Sequence, residues 1–286
     1  MMKMLFYLLL LLGISQVVQA QKSDPVFARA YYIYQDKQDT IYVGKTRTED
    51  MILFMGKNSS LFGSFSKIKH EINEDRKIRE KIQLSLSQRP KAIVIDQSQS
   101  FWMTNTTYLH QFDTQKLHTT AIIAYNPYLI EEKAPRIDWK ILKDTLTIAG
   151  LKCQKAIGEL EGTNWEVFFT DEIAYSAGPY KLHGLPGLII QATSADKNQI
   201  YTFNGMENAS ENRVQRDVDI TKRIDAQPGD YNPIDQAIGR DMGNAYFENY
   251  IRMAPNAIKA KKEDIQKLIK IHKINPTGLF KKLAEN

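Results

Sequence analysis

Short apolar runs alternate with turn-forming residues from Phe27 to about Asp219. The runs are rich in β-branched and aromatic residues, and Gly, Asn and Asp separate them, a pattern typical of β-strands. Predicted strands are Phe27 to Tyr34, Met51 to Met55, Ala92 to Ile95, Tyr108 to Phe112, Leu117 to Tyr125, Ile137 to Leu142, Thr145 to Ile148, Cys153 to Leu160, Asn164 to Thr170, Leu188 to Ser194 and Ile200 to Met206. Because only one connection has the length of a crossover helix, we predict an α+β, β-rich fold with a mainly antiparallel, curved sheet.

The clearest predicted hairpin covers residues 156–170. Glu161 and Gly162 form a pair that can adopt positive φ between two strand-like runs. In the second arm, alternate positions are apolar: Trp165, Val167 and Phe169. This alternation predicts one apolar and one partly solvated face.

One segment has helical periodicity instead. Lys67 to Ser87 is rich in Lys, Arg, Glu and Gln, and its apolar residues recur mostly four positions apart: Ile68, Ile72, Ile78, Ile82 and Leu86. This spacing predicts a helix with a narrow apolar stripe. We interpret it as a solvated helix on the sheet rather than one that meets lipid or a partner.

The pattern changes again beyond Asp225. Pro and Gly punctuate residues 228–233, and two helix-like segments follow, Ile234 to Met253 and Ala257 to Lys273. The predicted organisation is a signal peptide at residues 1–20, a β-rich domain at 21–225 and a helical extension at 226–286. The last helix carries lysines beside an apolar stripe, so packing on the β-rich domain and contact with a membrane surface both remain open for it.

Residues 1–20 have the features of a cleaved secretory signal peptide. Lys3 gives the positive start, Leu5 to Ile14 is almost unbroken apolar sequence, and cleavage is expected before Gln21. The apolar run is too short to cross a bilayer, and no cysteine stands at the cleavage point, so neither a transmembrane protein nor a lipoprotein is predicted. The expected location is the periplasm or the extracellular space.

The remaining composition narrows the classes of function. Cys153 is the only cysteine, so no internal disulfide can form, and we expect a small buried hydrophobe there. The formal net charge of +5 is dispersed along the chain. This charge is too small and too scattered to predict nucleic-acid binding.

The most unusual string is Gly178 to Ile190. Within it, Pro186 fixes its own φ and favours an extended Leu185, so Leu185 to Leu188 predicts a type II turn with Gly187 at positive φ. Gly184 and Gly187 lack Cβ atoms and would allow close approach of another backbone or a ligand.

This string closely resembles the GLPGLI family of exported Bacteroidetes proteins, which is named after the sequence found here as Gly184, Leu185, Pro186, Gly187, Leu188 and Ile189. The resemblance covers about Asp138 to Phe203 and touches residues 59–62. It implies export to the envelope but no activity, because the family has no established reaction or catalytic residues to transfer. The segment 173–176 departs from the family pattern, since it lacks the proline that often follows Ile173.

No catalytic or metal-binding constellation emerges from the sequence. Ser176, His183 and Asp171 lie near one another, but there is no nucleophile elbow, and triads are assembled from distant segments. The five histidines form no recognised ligand spacing: His70, His110, His118, His183 and His272. Carboxylate pairs drawn from Glu166, Asp171 and Glu172 are not singled out, and nucleotide motifs are absent. No cofactor or metal is predicted.

The sequence therefore favours a non-catalytic exported envelope protein that binds a hydrophobic ligand or a partner protein through the sheet face near the turn. By analogy, the fold resembles the half-barrel of periplasmic lipoprotein carriers. Candidate binding residues are Trp139, Trp165, Phe169, Tyr180, His183, Leu185 and Leu188. Two alternatives stay open, an envelope hydrolase at the same turn and an assembly protein acting through the basic C-terminal helix. The oligomeric state is not predicted.

Overall fold

The computed structural model describes residues 23–37, 46–87, 103–123, 126–214, 237–254 and 256–271. The predicted signal peptide, the predicted strand Ala92 to Ile95 and residues 228–233 lie outside these ranges. The division near residue 225 also falls outside them, so the domain boundary stays a prediction.

In the described part of the chain, thirteen strands form one sheet. Their bounds are β1 Asp24–Asp36, β2 Arg47–Gly56, β3 Ser59–Ser64, β4 Thr106–Gln111, β5 Lys116–Ile123, β6 Asn126–Lys133, β7 Lys140–Ile148, β8 Leu151–Leu160, β9 Thr163–Thr170, β10 Leu188–Ser194, β11 Gln199–Asn208, β12 Tyr250–Ile251 and β13 Ile258–Lys259. The order across the sheet is β13-β6-β5-β4-β3-β2-β1-β11-β10-β9-β8-β7, and β12 also pairs with β1. Only β13 and β6 run parallel among these pairs, which confirms the predicted β-rich, mainly antiparallel class.

Two tight turns make the hairpins at one end of the sheet. Glu161 and Gly162 both have positive φ, 51° and 73°, as predicted for the β8–β9 hairpin. Ala149 and Gly150, between β7 and β8, also both have positive φ, 50° and 82°. Positive φ at both central residues is the requirement of a type I′ turn, whose twist suits the twist of the strands.

Strands β3 and β6 were not predicted, because their residues do not favour strands. Strand β3 contains three serines and Gly63, and it forms between β2 and β4, where every residue is buried. Strand β6 contains Pro127 and adjacent glutamates, and it forms by pairing with β5 over its whole length. In both, pairing with neighbours outweighs intrinsic propensity.

The predicted helix is confirmed with an earlier start. Helix α1 covers Phe65–Ser87. Ser64 precedes it, and the backbone N–H of Lys67 donates to its Oγ at 3.0 Å, so the serine caps the first turn. Ile68 is completely buried, whereas Leu84 is 62% exposed, so the start of the helix is anchored in the core.

The C-terminal helices are shorter than predicted. Helix α2 covers Arg240–Gly243 and continues into a π-helical turn, Asn244–Glu248, which Asn249 ends in the left-handed region. The chain then pairs with β1 as β12, so the predicted helix to Met253 is wrong. Helix α3 covers Lys262–Ile271 and begins after the predicted Ala257, because the preceding residues form β13. None of the described helices is both long and apolar enough to cross a membrane.

The middle of the sheet is covered on both faces. On the face that we call the inner face, Leu53, Phe62 and Trp165 belong to one apolar cluster. On the opposite face, Ile52 and Phe54 pack in a second cluster. The second cluster also takes in residues of α1, α2 and the π-helical turn: Ile68, Met242, Ala245 and Phe247. Strand β2 is therefore apolar at consecutive positions, as expected for a strand buried on both faces.

Candidate functional site

Residues 171–187, here called the motif loop, connect β9 to β10 and close over the inner face. A Cβ on Gly187 would lie 1.9 Å from the carbonyl oxygen of Thr170, so only glycine fits there. The predicted close approach of Gly187 is real, and its neighbour is the protein's own chain. The predicted type II turn is wrong, because positive φ occurs at Gly184, at 94°, and not at Gly187.

Aromatic side chains hold the loop on the sheet. The ring of Tyr180 meets Tyr108 edge to face at 5.0 Å and lies 6.3 Å from Trp165. Tyr180 itself adopts a φ of 61°, an uncommon conformation for a non-glycine residue. The hydroxyl of Tyr32 on β1 donates to the carbonyl oxygen of Ile189 at 2.8 Å. These contacts fasten the motif to the centre of the sheet.

The predicted binding residues divide into two groups by burial. Four of them are at most 3% exposed and belong to the inner-face cluster: Trp165, Phe169, Leu185 and Leu188. Three are half-buried at the rim of the loop: Trp139, Tyr180 and His183. Cys153 is buried and free, and burial raises the pKa of its thiol.

A buried ion pair joins the motif loop to the β8–β9 turn. Lys181 is 3% exposed, and its Nζ donates to Glu161 Oε1 at 2.7 Å, while the Tyr180 hydroxyl donates to Oε2 at 2.9 Å. Burial acts to raise the pKa of Glu161, but Lys181 and these hydrogen bonds outweigh burial and hold the pKa below its usual range. The turn glutamate thus positions the loop, a role that no local sequence signal indicates.

The backbone of His183 is fixed from two sides. Trp139 Nε1 donates to the His183 carbonyl oxygen at 2.7 Å, and Ala177 forms a β-bridge with His183. Trp139 in turn occupies the space above Gly158, where a Cβ would lie 2.7 Å from the indole ring. The imidazole is therefore presented by a rigid segment, although it belongs to a loop.

The structure brings His183 against a second histidine. The rings of His183 and His110, which lies on β4, have centroids 4.2 Å apart and are tilted by 53°. Burial lowers the pKa of His110 to about 4, with a further contribution from His183. Burial also lowers the pKa of His183. Both rings are therefore neutral near pH 7. No pattern in the sequence indicates that these two histidines meet.

The carboxylates considered for a hydrolase all lie on the surface. Asp171, Glu172 and Glu166 are exposed. Glu172 accepts the backbone N–H of Lys152 at 2.8 Å, and Glu166 pairs with Lys155 at 2.8 Å. Ser176 is exposed as well. These contacts give two of the carboxylates a structural role, and none of the three lies in an enclosed site.

A second polar cluster, missed from the sequence, lies on β2 and β3. Glu49 is 3% exposed and accepts hydrogen bonds from Ser64 at 2.5 Å and from both the backbone and the hydroxyl of Thr104 at 2.8 Å, and it pairs with Arg47. All of its acceptor positions are therefore used in tying strand ends together. Nearby Lys67 is buried, which lowers its pKa to about 8. These contacts hold the end of β3 and the first turn of α1 against β2.

Several of the exposed apolar side chains lie on the β7–β8 hairpin. Ile141 and Leu146 on β7 are 46% and 49% exposed, and Ile157 on β8 is also exposed. Strand β7 ends the sheet, and in the described residues it pairs with β8 alone. By contrast, the apolar stripe of α3 faces inward, since Ile265 is fully buried in the inner-face cluster.

Comparisons with known proteins do not identify a family. No protein-family model matches the chain, and no curated protein matches it. Two solved structures of PNGF-II, in space groups P21 and C2, align with 86% and 85% of this chain, with TM-scores of 0.49 and 0.48 and 12% sequence identity. The chain spans only 33% of the length of PNGF-II. A likeness of this degree carries no argument about function.

Proposed function

We propose that this protein is an exported, non-catalytic envelope protein that binds an extended segment of a partner polypeptide along strand β7, beside the motif loop. The observation that carries the proposal is the exposure of Ile141 and Leu146, 46% and 49%, on a strand that ends the sheet. Export rests on the signal-like residues 1–20 and on the resemblance to the GLPGLI family.

An edge strand offers hydrogen-bonding groups that a second polypeptide can pair with, and its alternate side chains give specificity. Strand β7 also carries features that discourage indiscriminate pairing. Lys140 and Lys143 stand on it, and the register with β8 shifts between Ile141 and Thr145. The side chain of Gln154 holds this irregularity by donating to the Leu142 carbonyl at 2.7 Å. The two lysines outnumber Asp144, so a partner segment with acidic residues suits the edge best.

The inner face is less suited to a hydrophobic small molecule. A ligand there would have to displace the motif loop, which is held by Tyr180, Lys181 and the close contact at Gly187. The buried residues of the motif are therefore assigned to packing. Trp139, which immediately precedes β7, links this packed loop to the proposed binding edge.

One lysine supports a half-barrel form of the sheet. Strands β6 and β9 are eight positions apart in the sheet order, roughly 38 Å in a flat sheet. Lys262 Nζ nevertheless lies 3.0 Å from Glu132 on β6 and 3.8 Å from Glu161 in the β8–β9 turn. Strong curvature of the sheet, which would bring β6 close to the β8–β9 turn, accounts for this contact. Strand β7 then lies beyond the strands that approach each other.

Site-specific photocrosslinking in the native envelope tests the proposal. A photoreactive amino acid replaces Leu146 in the full chain, and a matched variant carries it at Met206, which is 46% exposed on β11. We expect one defined protein adduct from position 146 and none from position 206. Hydrogen exchange of the purified complex should then slow in residues 140–148, because strand addition protects edge amides.

Three outcomes would contradict the proposal. Equal crosslinking at both positions indicates nonspecific contact, and an adduct without slower exchange in β7 indicates contact without strand addition. Retention of a lipid in native mass spectrometry, with no protein adduct at position 146, favours the hydrophobic-ligand alternative.

A further inference from the structure

The β7–β8 turn determines which backbone groups of β7 face the open edge of the sheet. Ala149 and Gly150 form a two-residue turn, and Ile148 pairs with Leu151 across it. The pair that closes such a turn exchanges two backbone hydrogen bonds, and hydrogen-bonded pairs then alternate with non-hydrogen-bonded pairs along the hairpin. Every second residue of β7, counted back from Ile148, therefore directs its N–H and C=O to β8. The residues between them direct these groups to the edge.

Thr145 and Thr147 are the residues of the regular ladder whose backbone groups face the edge. Thr147 pairs with Lys152 on β8, and the contacts of Lys152 agree with this alternation. Its N–H donates to Glu172 at 2.8 Å, and its C=O accepts from the Thr170 hydroxyl at 2.9 Å. Both groups of Lys152 are thus directed away from Thr147. Thr145 and Thr147 each offer one donor and one acceptor to an added strand.

The regular part of this edge is short. The ladder with β8 is unbroken from Thr145 to Ile148, and the chain then turns away at Ala149. At the other end the register shifts, and the side chain of Gln154 holds the Leu142 carbonyl at 2.7 Å. So few residues bury too little area to join two folded domains by this ladder alone. A short extended segment therefore suits the edge better than a second copy of the chain.

The side chain of Leu146 selects one residue of the added segment. In an antiparallel segment, Thr145 and Thr147 form hydrogen-bonded pairs, so Leu146 lies in a non-hydrogen-bonded pair, where side chains come closest. Leu146 is 49% exposed. An apolar residue opposite it would remove both side chains from water.

Charge selects a second position in the segment. An antiparallel segment runs its carboxyl end toward the start of β7, where Lys140 and Lys143 are exposed and outnumber the exposed Asp144. A carboxylate placed a few residues after the apolar residue therefore meets a net positive charge.

We infer that the partner segment adds antiparallel to β7, with an apolar residue opposite Leu146 and a carboxylate beyond it, directed at Lys143. The inference rests on the proposed binding at β7 and adds the register and the chemistry of the segment. The carboxylate belongs to an Asp or Glu side chain or to the free C-terminus of the partner. Backbone pairing at Thr145 and Thr147 supplies affinity, and the apolar and acidic positions supply specificity.

Substitutions at Thr147 test the backbone pairing, by photocrosslinking from position 146 in the native envelope. Thr147→Pro removes the outward N–H and leaves the bonds to β8 intact, because an edge strand tolerates proline where the N–H faces outward. A carbonyl of the segment then loses its donor, so we expect the adduct yield to fall at least about tenfold. Thr147→Val is the matched control, since it keeps the N–H and a branched side chain, and its yield should be unchanged.

Lys143→Glu tests the acidic position in the same assay. We expect the adduct yield to fall about two- to fivefold, as for a surface ion pair. Lys57→Glu makes the same charge change at an exposed lysine between β2 and β3 and should leave the yield unchanged. Mass spectrometry of the adduct should show a carboxylate a few residues after the crosslinked residue. Whether it is a side chain or the chain terminus distinguishes the two sources.

Hydrogen exchange of the unsubstituted protein keeps the test valid if Thr147→Pro fails to fold. In the free protein, the amides of Leu146 and Ile148 should exchange slowly and those of Thr145 and Thr147 quickly, and the complex should slow the second two. Unchanged exchange at Thr145 and Thr147 in the complex overturns the inference.

The crosslinking results separate this inference from the proposed function. The inference is overturned if folded Thr147→Pro keeps the adduct, if Thr147→Val loses it, if Lys143→Glu matches Lys57→Glu, or if no carboxylate follows the crosslinked residue. An adduct that survives these substitutions leaves binding at β7 standing and removes only the register and the chemistry. The absence of any adduct from the unsubstituted chain overturns both.

Discussion

The hairpins β8–β9 and β7–β8 share strand β8 but have opposite environments. Trp165 on β9 is 1% exposed, because the motif loop covers it, whereas Leu146 on β7 is 49% exposed. A glycine of the motif loop, which covers β9, differs in the same way from the turn glycine of the β7–β8 hairpin. Gly187 lies against Thr170, but a Cβ on Gly150 would meet nothing within 4 Å. The most distinctive sequence in the chain thus maintains packing, while the plain strand β7 carries exposed apolar side chains.

The two glycines should respond very differently to replacement by alanine. Gly187→Ala places a Cβ 1.9 Å from a backbone oxygen that cannot move without distorting β9. We expect a loss of about 4 kcal/mol or more in the free energy of unfolding, measured by urea denaturation. Gly150→Ala should cost only about 1–2 kcal/mol, from its positive φ. Similar losses for the two variants would show that the motif loop can relax.

Truncation of an apolar side chain should have different effects in the two hairpins. Trp165→Ala removes a fully buried indole and should cost about 3–5 kcal/mol by the same measurement. Ile157→Ala, on the exposed surface of β8, should cost less than about 1 kcal/mol. A large loss at Ile157 would mean that this surface is covered in solution, which contradicts an exposed binding edge.

The histidine pair makes the packed region sensitive to acid. Folding lowers the pKa of His110 from its usual value near 6.5 to about 4, so the unfolded chain binds the proton more readily. This contribution to stability is complete above about pH 6.5 and is lost as the pH falls toward 4. Between pH 7 and pH 5 the loss should be about 2 kcal/mol. Denaturation at both values should show a smaller difference in His110→Gln, and an unchanged difference would exclude His110 as the cause.

The smallest effect on stability is expected at the edge itself. Leu146→Ser should change the free energy of unfolding by less than about 0.5 kcal/mol, because Leu146 contributes little to the core. The same variant should weaken crosslinking from a photoreactive residue placed at position 141. Unchanged crosslinking in the folded variant argues against Leu146 as a contact.

Much of the strand layout could be predicted from residue patterns, since alternation and turn residues act locally. The β8–β9 turn at Glu161 and Gly162 adopts the expected positive φ. Prediction failed where neighbours override local preference. The serine-rich β3 forms because strands lie on both sides of it. The chain after Asn249 becomes β12 because β1 offers a free segment for pairing.

The candidate sites were less predictable, because burial is decided by contacts between remote residues. The sequence singled out Trp165, Leu185 and Leu188 as apolar, but it could not tell a core face from a binding face. It also singled out His183 without its neighbour His110. Glu161 looked like a turn residue only, yet it anchors Lys181 of the motif loop.

Local sequence patterns were enough to locate most of the strands, the β8–β9 turn and the apolar positions, because backbone conformation and side-chain alternation depend on near neighbours. The sequence also determined that Gly187 permits a close approach. The order of the strands, the apolar surface that the motif loop covers and the contact between His110 and His183 become visible only in the folded chain. These depend on contacts between residues that are far apart in the sequence.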